Sequence, residues 1–393
     1  MVSGREEAVI VDAVRTPLGR RGGRLKDWHA VDLASEPIRA LVERTGIDPA
    51  AIDDVIMGCL DQVGEQGANI GRLAVLAAGL PESVPGTTVD RQCGSSQQAA
   101  HFAAQGVIAG AYDVVIAAGI ESMTRVPFWS NVPDPTAAYG PRFRERYHLG
   151  EGEFIHQGLS GEMIAERWEI GREELDRLAY ESHMRAARAT EEGRFEGEIV
   201  PLSVGGENGD GIMRTDEGIR PTTSIEALAG LKPVFREDGR LTAGNSSQIT
   251  DGAAALLITS ARRAEELGLT PMARFHAFAL AGVDPIEMLS GPIPATRKVL
   301  QRAGMDADDI DLFEVNEAFA SVPLAWQREI GADMERVNVN GGAIALGHPV
   351  GASGSRLMTT LVHEMQRRGA RFGLQTMCEG GGMANATILE RCA

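Results

Sequence analysis

Apolar positions along the chain come in short runs that alternate with helical periodicity. "AVIVDAVRTP" (8–17) reads as a strand, "DLASEPIRALVERTG" (32–46) as an amphipathic helix, and "DDVIMGCL" (53–60) as a second strand. A helix is predicted over 66–78, another after Cys93, then a strand in "DVVIAAGI" (113–120) and a buried one in "AALLI" (254–258). Strands that alternate with helices of this length imply an α/β protein with buried, mostly parallel sheets.

The pattern occurs twice. "GIDPAAIDDVIMG" (46–58) lies over "GMDADDIDLFEVN" (304–316) at an offset of 258, and "GAYDVVIAAG" (110–119) over "GARFGLQTMC" (369–378) at 259. "CGSSQQA" has its counterpart in "VGASGSRL", a small-residue turn feeding a helix. Two matches at nearly one offset imply two copies of one unit. Residues 120–248 interrupt the pattern: they are rich in Arg and Glu, hold "PFWSNVPDPTAAYGPR" and the turn-like "GGENGDG", and contain one long amphipathic helix around "SGEMIAERWEIGREELDRLAYESHMRAAR". The expected division is residues 1–119 plus 249–271 as the first half, 120–248 as an inserted loop domain, and 272–393 as the second half. Long inserts of this kind serve as lids or binding loops.

A formal net charge of −17 over 393 residues argues against a nucleic-acid or anionic-membrane surface. No secretory signal, membrane-length apolar run or peroxisomal address is visible, so a cytoplasmic enzyme is expected. The four cysteines, at 59, 93, 378 and 392, fit neither a zinc site nor a disulfide framework, and no metal is expected.

Chemistry gathers at a few positions. Cys93 precedes Gly94, Ser95 and Ser96 at the mouth of a helix, whose N-terminal partial charge is expected to lower the thiol pKa; it also fits as a small buried residue where strand meets helix. His348 sits in the glycine-rich "NVNGGAIALGHPVGASGSR", held extended by Pro349, and so many glycines imply backbone pressed against a ligand or another chain. "TMCEGGGMANA" puts Cys378 at the end of what reads as the last strand, suited to proton transfer beside an oxyanion site. "EVNEAFA" brings Asn316 and Glu317 to a strand end, where open α/β sheets place ligands.

"VDRQCGSS", "VNEAFAS", "NGGAIALGHPVGASGSR" and "CEGGG", with "RTPLGR" and "TAGNSSQITDGAAALL", resemble the signature segments of the thiolases over essentially the whole chain and in the family's order. The resemblance implies a five-layered αβαβα fold of two similar halves with an inserted loop domain, and acyl transfer on coenzyme A thioesters. It implies Cys93 as the acylated nucleophile, His348 as its activator, Cys378 as the acid/base, and Asn316 holding a water that completes one oxyanion hole with His348. The N–H groups of Cys93 and Gly380 form the second hole. His156 and Ser247 fall where the family touches the pantetheine arm and Arg220 where it meets the nucleotide end, and Ala318, Phe319 and Met288 are implied as further substrate or coenzyme A contacts. Coenzyme A is implied as substrate, with no tightly bound cofactor, and a homodimer or homotetramer as the assembly. The chain departs from the family at Asp90, Ser96, Gln97, Gln98, Glu379 and Gln157. Gln157 stands where short-chain biosynthetic thiolases carry Met, although Met288 looks biosynthetic. "RQCGSSQQAAH" with "GEQGANIGR" looks more like thiolases that shorten bulky or sterol-derived chains. The leading expectation is a degradative 3-ketoacyl-CoA thiolase. Its rivals are acetoacetyl-CoA synthesis, a decarboxylating ketoacyl synthase (which would use a second histidine where Cys378 stands) and a non-catalytic thiolase-like lipid-binding module.

Overall fold

A computed structural model describes residues 6–205 and 211–392. The first half runs β1 (Ala8–Arg15), β2 (Gly19–Arg20), α1 (Ala30–Thr45), β3 (Asp54–Gly58), α2 (Ile70–Ala77), β4 (Gly86–Val89), α3 (Ser95–Ile108) and β5 (Val114–Ser122). Next come α4 (Pro141–Tyr147), α5 (Gln157–Arg167), α6 (Arg172–Glu191), the short pair β6 (Leu202–Ser203) and β7 (Ile212–Met213), and α7 (Ile225–Ala229). β8 (Thr250–Ser260) and α8 (Ala261–Glu266) lead into β9 (Ala273–Gly282), α9 (Pro292–Ala303), β10 (Leu312–Val315), α10 (Ser321–Ile330), α11 (Ser353–Arg368), β11 (Phe372–Glu379) and β12 (Met383–Arg391).

The repeat is physical: β3 and β10, α3 and α11, and β5 and β11 all begin 258 residues apart. Strand order is β10-β11-β12-β9-β1-β8-β5-β3-β4, with β2 on β8. The order β10-β11-β12-β9 repeats β3-β5-β8-β1, with β4 added beside β3, and the halves join where Val9 and Ile10 of β1 pair with Arg274 and Ala273 of β9. Alternation along β5 explains the layers. Val114, Ile116 and Ala118 face the core under α1 and α2, whereas Val115 and Ala117 face the core shared by α3 and α11. α9 covers the far face of the strands of the second half. The result is the five-layered αβαβα arrangement.

α3 and α11 form the middle layer. α3 presents Ala99, Ala100, Ala103 and Ala104, all fully buried, against Met358, Leu361 and Val362 of α11. Alanine favours the helix and lets backbones approach closely. The approach is so tight that a Cβ on Gly354 would lie 2.2 Å from the Gln97 backbone nitrogen.

Three local expectations are corrected. The sheet is mixed: only β3–β4, β3–β5 and β10–β11 are parallel, because β8 and β12 return antiparallel to their neighbours. The predicted 66–78 helix shrinks to α2, since Asn69 takes a left-handed φ of 60° and caps it. The long insert helix breaks into α5 and α6 around Glu169, whose φ is 52°. The turn expected in 205–211 lies mostly outside the described residues. Among the described residues, no helix is long and apolar enough to cross a membrane.

Candidate active site

Cys93 emerges from a tight turn after β4. Asp90 Oδ1 accepts from the Gln92 N–H (2.6 Å), and Gln92 adopts φ 51°, an unfavourable region for a residue with a side chain. Ser95 Oγ accepts from the Arg91 N–H (2.9 Å) and donates to the Gln92 carbonyl (2.6 Å), which fixes the turn. Gly94 caps α3, so Cys93 stands one residue outside the helix. It is 2% exposed and packs with Leu60, Met123, Val350 and Met377. Its own N–H, the Gly380 N–H and the Gln157 side chain face the sulfur as donors.

The expected acidification does not occur. Burial, and then the nearby Glu379 carboxyl, push the thiol up to about 12, against the three donors. Desolvation of the charged form outweighs what a helix N-terminus supplies. The resting group is a thiol, and it needs a base.

His348, in the loop whose Val350 packs with Cys93, is the candidate base. Its backbone N–H donates to Thr250 Oγ1 (3.0 Å), which anchors the loop. Its Nδ1 lies 2.5 Å from Ser353 Oγ, and the Ser353 hydroxyl donates its hydrogen to the Pro349 carbonyl (2.9 Å). That hydrogen is spent, so the contact requires the proton on Nδ1, leaving a lone pair on Nε2. Asn316 Nδ2 sits 3.3 Å from that Nε2. Burial, with Arg356 adding to it, lowers the imidazole to about 3, so it is neutral at physiological pH.

Asn316 follows β10, its N–H bonded to the Thr376 carbonyl (3.1 Å), and its buried Oδ1 has no protein partner. An orphan acceptor of this kind costs about 1–3 kcal/mol unless a water or ligand donates to it. Glu317 turns away from the site. It accepts from Ser182 Oγ (2.7 Å), Asn338 Nδ2 (2.9 Å) and the Ile344 N–H (3.1 Å), and so pins the glycine-rich loop. A Cβ on Gly342 would lie 2.3 Å from the Glu317 carboxyl carbon; at that position the glycine is pressed against its own chain, not a ligand.

Cys378 lies on β11, the penultimate strand and not the last. The glycines after it make the hairpin into β12, with Gly381 and Gly382 at φ 76°. It is fully buried in an apolar cluster with Ala318, Phe319 and Ile344. Burial, then repulsion from a charge on Cys93, push its thiol well above the usual range, so it holds its proton and can donate it.

A cavity of about 380 Å³ is lined by Phe128, His156, Phe235, Ser247, Phe319 and His348 among others; Met123 and Val350, which pack with Cys93, and Phe319, which packs with Cys378, also border it. Ala318 and Gln157 also border it. The structure therefore brings His156, Ser247, Ala318 and Phe319 together with His348. Met288 is buried behind it, in the cluster that holds Cys378. Arg220 lines a separate cavity of about 240 Å³, which shares Gln248 with the first. Ser353 escaped sequence reasoning; its signal was the hydroxyl five residues after His348 in "HPVGAS". Among the described residues, no group of three or more His, Cys, Asp or Glu side chains could hold a metal ion.

The family models described as Thiolase, N-terminal domain, and Thiolase, C-terminal domain, match residues 8–262 and 269–391. The steroid 3-ketoacyl-CoA thiolase FadA6 of Mycobacterium tuberculosis is 51% identical over 390 residues, 98% of this chain and 94% of that protein. The beta-ketoadipyl-CoA thiolase of Pseudomonas aeruginosa is 44% identical, covering 98% and 99%. The crystal structure of the Bacillus anthracis acetyl-CoA acetyltransferase superposes with a TM-score of 0.90 at 40% identity, over 99% of each chain. A repeated fold with a thiol, an imidazole and a second thiol at its centre thus agrees with matches to both family domains: this chain is an acyltransferase and belongs to the thiolase family.

Proposed function

We propose that this chain cleaves 3-ketoacyl-CoA with coenzyme A, in the degradative direction, giving acetyl-CoA and a shortened acyl-CoA through an acyl-enzyme on Cys93. One observation carries the reading: a neutral imidazole whose Nε2 lone pair faces Asn316 Nδ2 lines an apolar cavity, whose other lining residues pack on a buried thiol faced by N–H donors and on a second, protonated thiol.

The steps follow from those groups. His348 Nε2 takes the Cys93 proton as the sulfur attacks the 3-keto carbon. The bond between that carbon and the acetyl methylene breaks, and Cys378 gives its proton to the departing carbanion, forming acetyl-CoA. Coenzyme A then attacks the Cys93 thioester. Its thiol proton goes to the Cys378 thiolate, while His348 returns its proton to the released Cys93 sulfur. The Cys93 and Gly380 N–H groups stabilise oxyanions on the carbon bound to sulfur; Asn316, through a water, and His348 serve the acetyl oxygen. Such donors contribute about 3 kcal/mol each.

Bulky, sterol-derived chains are the proposed substrates. Support comes from the aromatic lining (Phe128, Phe154, Phe235, Phe319) and from the relative named as a steroid thiolase. Trypsin mapping after mixing with acetyl-CoA should find acetyl on the Cys93 peptide, and its absence ends the reading. A kinetic panel should prefer long or bulky 3-ketoacyl-CoAs; a preference for acetoacetyl-CoA would move the assignment to biosynthesis.

The three-part division at 119, 248 and 271 remains our reading of the chain, with the insert supplying His156, Gln157 and Phe235 to the cavity. A cytoplasmic homodimer or homotetramer completes the proposal. β4 is a sheet edge flanked by Leu76 of α2 and Phe102 of α3, 41% and 43% exposed, and an open edge beside apolar side chains is a template for a second copy. Light scattering on the purified protein tests this, and a monomer refutes it.

A further inference from the structure

Glu379 is a buried acid that the steps above do not use. It follows Cys378 on β11 and, by strand alternation, points to the opposite face, under the turn that carries the nucleophile. It is fully buried, and neither carboxyl oxygen has a partner. The carboxyl presses against the helix cap: a Cβ on Gly94 would lie 2.0 Å from Glu379 Oε1 and 3.0 Å from Asn385 Nδ2. Arg91 and Asp90, from the β4–α3 turn, are the charged groups facing it, and from β12 it meets only the uncharged Met383 and Asn385. Arg91 forms no ion pair with it, its Nε being itself unpartnered. Cys93 and Cys378 both feel its charge.

We infer that Glu379 is a positioning residue whose carboxyl competes with Cys93 and Cys378 for a single negative charge, so that its protonation decides when the Cys93 thiolate forms. Acids that act on one another through a dry interior accommodate one charge far better than two, and they titrate as a group. With Glu379 protonated, a charge on Cys93 meets the Gly380 and Gln157 donors unopposed. With Glu379 ionised, both thiols stay protonated, and nucleophile formation stalls as pH rises.

The inference rests on the thiolase reading, and the test separates the two. Iodoacetamide alkylation of Cys93, mapped by peptide mass, is followed against pH in the wild type, Glu379→Gln and Glu379→Met, each checked for unchanged circular dichroism. Both variants should alkylate about tenfold faster than wild type near about pH 9, equivalent to a fall of about one pH unit in the apparent thiol titration. Superimposable curves for wild type and Glu379→Gln overturn the inference, as does a shift confined to Glu379→Met, which would mark a packing effect. Acetyl transfer from acetyl-CoA to wild-type Cys93 is scored separately: its absence ends the thiolase reading whatever the alkylation curves show.

Discussion

α3 and α11 are the same element of the repeat, and they meet head to head: the Ser355 N–H donates to Ser96 Oγ (2.9 Å). Their leading residues are used in opposite ways. Ahead of α3 a strained turn delivers a thiol; ahead of α11 a buried loop, with the short turn Val350–Ala352, delivers an imidazole. Both helix N-termini point at the same region, yet the thiol is pushed up and the imidazole down. Desolvation sets both directions, so a helix end is a poor guide to acidity once the group is dry.

The sharpest way to break this division of labour is Cys93→Ala, expected to cut thiolysis about ten-thousandfold and to remove the acetyl adduct. Cys378→Ala should cost thiolysis roughly a thousandfold while Cys93 still takes an acetyl group from acetyl-CoA. Equal loss of the adduct in both variants would show that the halves do not split the chemistry as described.

A pH effect follows from His101 on α3 and His348 before α11, both lowered to about 3 by burial, and from His183, lowered to about 4. Unfolded, each protonates near about 6.5, so as pH falls below that value the unfolded chain gains protons the folded one refuses. Each should cost about 2 kcal/mol of stability by about pH 5. Urea titrations at neutral and acid pH measure the loss, and His101→Gln should remove its share. Smallest, Ser353→Ala frees the His348 ring and should lower kcat about tenfold with little change in KM.

The repeat was legible because 258 residues separate matching strands and helices without a gap, as at Ser95 and Ser353. Strand direction was not: "AAALLIT" in β8 is buried on both faces, and such a run reads alike whichever way it points. Cys93, Asn316, His348 and Cys378 could be named as candidates from their motifs, but the acidity of Cys93 could not. What sets it is first a dryness created by both halves, and then a carboxyl that arrives from residue 379. The tautomer of His348 was hidden for a similar reason, since it depends on where a serine hydroxyl sends its single hydrogen.

β1 is hydrogen-bonded on one side to β8 and on the other to β9, strands that begin at Thr250 and Ala273. A chain growing from its N-terminus must therefore leave its first strand without a ladder partner until two-thirds of the sequence has emerged, apart from the bridge of Arg15 to Ile199. Helix α3 can form early from its alanines, but the sulfur at its head stays without a proton acceptor until the loop around His348 is made. Until then the sulfur lacks both the burial that holds it protonated and the imidazole that takes its proton, so restraint and activation arrive together.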